Sequence, residues 1–75
     1  MKRTKDFTVI IEREGDMYVA LCPELDIASQ GRTVEATRGN LHEALLLFFE
    51  TADRSEIETR LTNEVYVTRL EVAVG

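Results

Sequence analysis

The spacing of apolar residues changes twice along the chain, and each change marks a new element. From Phe7 to Glu12 the apolar positions Phe7, Val9 and Ile11 fall on one face at period two, and the β-branched content suits a strand. Glu14-Gly15-Asp16 is a turn signal between two apolar runs and predicts a hairpin. The returning strand, Met17 to Cys22, is apolar on both faces, as a central strand is. Pro23 stops it, because proline cannot donate to the ladder. After the bend Pro23-Glu24-Leu25-Asp26, residues Ile27 to Gln30 predict a short third strand that stops at Gly31.

The period then lengthens. Thr33 is a plausible N-cap, and Glu35 suits the positive first turn of a helix. Val34, Thr37, Leu41, Ala44, Leu45 and Phe48 recur at three- and four-residue steps, one face of an amphipathic helix running to about Thr51. Leu46 and Leu47, with Phe49 at the flank, lie off that face and call for a cover, from the following segment or from a second chain. Ser55-x-x-Glu58 reads as a capping box ahead of a short helix, Glu56 to Leu61. Period two returns from Val65 to Val74, with Tyr66, Thr68, Leu70, Val72 and Val74 on one face, which predicts the longest strand.

A strand after a crossover helix usually returns parallel to a neighbour through a right-handed connection. The expected fold is therefore α+β in the order β-β-β-α-β. Its mixed four-stranded sheet has the order 3-2-1-4, with the main helix on one face and the short helix before the last strand. With 75 residues the chain makes a single domain, 1–75, with no additional DNA-binding domain expected.

Such a small domain buries a modest core and often relies on a staple. Cys22 is the sole cysteine and His42 the sole histidine, so neither an internal disulfide nor a four-ligand zinc site is expected, and no cofactor is implied. A partner chain is the remaining staple, so a homodimer is expected. The net charge of −5 argues against nucleic acid as the chain's own ligand and suits a basic protein partner. The same acids would also simply keep a small domain in solution. The basic group Lys2, Arg3 and Lys5 reads as a solvated start of the chain. A free cysteine without an apolar leader or membrane-length run points to the cytoplasm.

Three sets of residues carry a resemblance. They are Tyr18-Val19-Ala20-Leu21-Cys22-Pro23-Glu24-Leu25, then Ser29-Gln30-Gly31-x-Thr33-Val34-Glu35, then Asn40-Leu41-x-Glu43-Ala44-Leu45. Together with Glu64 to Val72, they resemble the N-terminal domain of HicB-type antitoxins, in particular its short single-domain members. The resemblance covers nearly the whole chain from Phe7. It implies a partial RNase H-like fold, binding and occlusion of a small basic HicA-like mRNA endonuclease toxin, and no catalysis. Where that family usually shows Glu-Glu-Ala after the cap, this chain has Glu35-Ala36-Thr37, and Gly39 replaces a helix former.

An RNase H-like nuclease would instead gather carboxylates around divalent metals, with Glu12, Glu43, Glu50 and Glu71 as candidates. On a helical wheel Glu43 and Glu50 point away from Leu41 and so from the sheet, which argues against an enzyme. Cys22 reads as a small buried hydrophobe and His42 as a partly exposed helix residue. The candidate partner surface is Tyr18 with Pro23, Glu24 and Asp26, an aromatic anchor beside a rigid acidic bend. Its structural alternative is a turn in which Leu25 packs on the core. The candidate self-association surface is Leu46, Leu47 and Phe49 with Tyr66, Thr68 and Leu70. An interaction subunit that keeps the antitoxin scaffold for another partner is the alternative function.

Overall fold

A computed structural model describes residues 4–75. Three strands and two helices follow in order: β1 (Ile10–Glu14), β2 (Met17–Cys22), β3 (Ile27–Gly31), α1 (Val34–Thr51) and α2 (Arg54–Leu61). The strands form one antiparallel sheet of order β1-β2-β3, with Ile11 opposite Ala20 and Ala20 opposite Ser29. Glu14 pairs with Met17, so Gly15 and Asp16 alone make the hairpin loop, and Gly15 takes the positive φ of 63° that its first position needs.

Helix α1 lies across one sheet face, chiefly over β3 and then β2. Thr33 caps it, its hydroxyl accepting the Ala36 N–H at 3.0 Å. Leu25, Leu41, Ala20 and Cys22 are fully buried between helix and sheet, and Phe7, Ile11, Ile27, Leu45, Phe48 and Phe49 pack around them. The Phe49 ring joins Phe7 and Phe48 at centroid distances of 5.8 and 5.3 Å. Thr37 is the buried polar residue of α1, and its hydroxyl donates to the Thr33 carbonyl at 2.6 Å. The helix can sit this close because Gly31 has no side chain; a Cβ there would lie 2.8 Å from Thr37 Oγ1 and 2.9 Å from Thr37 N.

Two expectations are corrected. The sheet is three-stranded and wholly antiparallel, not a mixed four-stranded sheet of order 3-2-1-4. Residues 65–74 have the alternation of a strand, but alternation alone makes no strand; the backbone must find a neighbouring ladder. No backbone hydrogen bond ties residues 64–75 to the other described residues. Helix α2 carries the chain to the sheet end at the β2–β3 bend, where Arg60 donates to the Leu25 carbonyl and stacks on Phe48, and the chain continues from there into solvent. The second correction concerns α2 itself. It starts at Arg54 with Asp53 in the cap position, so Ser55 lies inside the helix and its carbonyl accepts the Thr59 hydroxyl; the Ser55–Glu58 box is not the cap.

Candidate protein-binding surface

Of the bend residues, Glu24 turns inward along the chain. Its Oε2 accepts the Thr8 hydroxyl at 2.6 Å and the Thr8 N–H at 3.0 Å, and the Cys22 thiol points at Oε1 from 3.7 Å. Burial alone would raise the Glu24 carboxyl, but the hydrogen bonds from Thr8 and from the backbone outweigh it and hold it below the usual carboxylate range. Burial in turn pushes the Cys22 thiol up, and the facing carboxylate adds to that. Pro23 is half-buried, Leu25 is fully buried, and Asp26 is exposed at the corner with a positive φ of 54°. Asp tolerates this left-handed corner better than most residues. Tyr18 sits at the opposite end of β2, about 13 Å from the bend at strand rise. It lies opposite Arg13 and Gly31, half-buried on the helix side. The geometry therefore assembles Glu24 with Thr8 and Cys22, and separates Tyr18 from the bend.

The other predicted surface is open. Leu46 and Leu47 are 51% and 57% exposed, so α2 does not cover them, while Phe49 is half-buried against Phe7 and Phe48. Tyr66 and Leu70 are 83% and 87% exposed, and Thr68 is exposed beside them.

One surface escaped the sequence reading. Ala20 and Cys22 face α1, so Val19 and Leu21 face the other way, where no helix among the described residues packs over them. With Ile10 and Ala28 they line a shallow depression of about 300 Å³ whose rim carries Glu12 and Glu14. The signal was present: β2 is apolar on both faces. That pattern suits a central strand, and β2 is central, between β1 and β3; it does not say which faces of the sheet a helix covers.

Glu12, Glu43, Glu50 and Glu71 are all exposed, and no cluster of three or more acidic, histidine or cysteine side chains that could hold a metal occurs among the described residues. His42 is exposed on α1. Of the basic group, Lys2 and Arg3 lie outside the described residues; Lys5 stands 5.8 Å from the Phe7 ring centroid. No described helix is long and apolar enough to cross a membrane. Comparison with family models, with characterised proteins and with solved structures gives no match for this chain.

Proposed function

We propose that this domain is a protein-binding module of the HicB antitoxin type, which acts in the cytoplasm by masking a small basic HicA-like mRNA endonuclease. The observation that carries protein binding is the uncovered sheet face. Val19, Leu21, Ile10 and Ala28 give it an apolar centre, and Glu12 and Glu14 give it an acidic rim. Apolar centres with charged rims are the ordinary anatomy of protein interfaces, and an acidic rim selects a basic partner and speeds the encounter. The choice of toxin rests on the sequence motifs, above all Pro23-Glu24-Leu25, Ser29-Gln30-Gly31 and Asn40-Leu41-x-Glu43-Ala44. The proposed role needs neither a cofactor nor contact with DNA.

The test is co-expression with a small basic HicA-like protein, followed by co-purification and an RNA cleavage assay. The intact domain is expected to co-purify with the toxin and suppress cleavage. The Glu12→Lys, Glu14→Lys double variant is expected to bind at least about tenfold more weakly, since rim charges of the wrong sign oppose a basic partner. Complex formation that leaves RNA cleavage untouched would assign the domain to the alternative class, an interaction subunit for another protein. No complex at all would sink the antitoxin reading.

A further inference from the structure

We infer that the uncovered sheet face receives one amphipathic helix of a partner protein, laid along β2, with lysine or arginine at two positions four apart on the side that faces β1. The inference rests on the reading of that face as a protein-binding surface and names the kind of element that binds there.

The strand register sets the pattern of the face. Ile10, Leu21 and Ala28 make one row across the three strands, and Glu12, Val19 and Gln30 make the next. Glu14 opposite Met17 begins a third. Apolar side chains therefore run down the middle, along β2. Both carboxylates stand on the β1 border, and no base occupies any of these paired positions.

The outer strands of a three-stranded sheet lie about 10 Å apart, which is the width of one helix. A helix pairs its backbone groups within itself, whereas an extended segment laid flat on an apolar face leaves its N–H and C=O groups without partners. The face therefore suits a helix and not a strand. Glu12 and Glu14 stand about 6.8 Å apart at strand rise. Four residues of helix rise about 6 Å, so bases at positions i and i+4 meet both carboxylates.

The chain's own elements do not supply that helix. Helix α1 packs on the opposite face, and Arg60 ties α2 to Leu25 and Phe48 on that same side. Residues 65–74 are not helical, and none of them lines the depression. A second copy fits no better. The open Leu46 and Leu47 of its α1 come flanked by Glu43 and Glu50, which would bring acids to Glu12 and Glu14. In its α2 both arginines are paired with glutamates of the same helix. A copy laid sheet to sheet brings the same two carboxylates, and no base at its own paired positions to meet them.

The experiment uses the full chain and synthetic peptides of about 18 residues, or about five helical turns. One peptide carries a leucine stripe flanked on one side by lysines four apart. A second has glutamates in place of those lysines, and a third is the lysine peptide with a central proline that breaks the helix. Fluorescence anisotropy reads binding, and amide shifts in nuclear magnetic resonance locate it. The lysine peptide is expected to bind at least about tenfold more tightly than either control and to shift Glu12, Val19, Leu21 and Ala28. In the Glu12→Lys, Glu14→Lys variant the preference is expected to reverse in favour of the glutamate peptide. Both positions are exposed, so that variant should fold, which circular dichroism checks. Equal binding of the lysine and glutamate peptides overturns the inference, as does equal binding of the proline peptide, which would mark the occupant as extended. Shifts confined to the groove lined by Phe7, Leu41 and Leu45, or no binding of the lysine peptide, overturn it too. Toxin masking is read separately, by RNA cleavage. A HicA-like protein that loses affinity with Glu12→Lys, Glu14→Lys while the lysine peptide fails would keep the face as a binding surface and remove the helix.

Discussion

Glu24 holds Thr8 across the sheet end, its Oε2 taking both the Thr8 hydroxyl at 2.6 Å and the Thr8 N–H at 3.0 Å. This is a charge-assisted pair of bonds that fixes the residues leading into β1 against the bend that follows β2, so that Phe7 is presented to Phe49. Removing the hydroxyl with Thr8→Val should cost about 1–2 kcal/mol, the range for a hydrogen bond to a charged group. Urea unfolding of the two proteins measures it.

The same carboxylate makes stability depend on pH. Its pKa in the folded chain is lowered, so its contribution is complete above the unfolded glutamate value of about 4.3 and disappears as pH falls through the lowered folded value. Natural protein should therefore exceed Glu24→Gln in urea midpoint at neutral pH, and the gap should close on acidification through that window. A gap unchanged down to the acid limit would mean that the charge contributes nothing.

Gly31 is a packing requirement. A Cβ there would meet Thr37 Oγ1 at 2.8 Å and Thr37 N at 2.9 Å, and the second of these is helix backbone, which cannot swing aside. Gly31→Ala should destabilise by about 1–3 kcal/mol, the usual cost of overpacking. Gly39→Ala is the contrast: nothing lies within 4 Å of its Cβ position, so the substitution should stabilise α1 by up to about 1 kcal/mol. Thermal melts of both variants separate the two situations.

Cys22 is fully buried, and its thiol is raised by burial. The thiolate is the reactive form, so thiol reagents should label it only through opening of the core, at a rate that rises with urea in step with unfolding. Labelling of the folded protein as fast as a free thiol would contradict the burial of β2's end.

Helix α2 buries no residue, and Arg60 ties it to the rest of the fold through the Leu25 carbonyl and the Phe48 ring at 5.1 Å, while Glu56 of the same helix steadies the guanidinium at 3.2 Å. Arg60→Ala should cost about 1–2 kcal/mol and release amide exchange across Arg54–Leu61 while α1 stays protected.

The period of the apolar pattern made most of the elements legible. The second strand was bounded at Met17 and Cys22, and the main helix at the Thr33 cap, because hairpin glycine, proline and capping threonine act through neighbouring residues only. The last segment was misread for a matching reason. Alternation at Val65 to Val74 records which side chains seek cover, and says nothing of whose backbone lies alongside. The partner surface had the same weakness. Pro23 to Asp26 looked available because its composition is that of a binding loop, yet Glu24 is engaged with Thr8, a residue sixteen positions away. The uncovered sheet face was visible in the doubly apolar β2, but its meaning depended on how many layers the chain supplies.

The sheet has two outer strands, and they differ. Along β3 the engaged group is an acceptor, the Gln30 carbonyl, which takes the Asn40 amide at 2.8 Å; on the side that leads into β1 it is a donor, the Thr8 N–H, which goes to Glu24 at 3.0 Å. An outer strand with free N–H and C=O groups is a template for another chain, and each group engaged within the fold narrows that template. Asn40 and Glu24 thereby each take one rung from the borders of the sheet, and a protein altered at either would offer an incoming strand one group more.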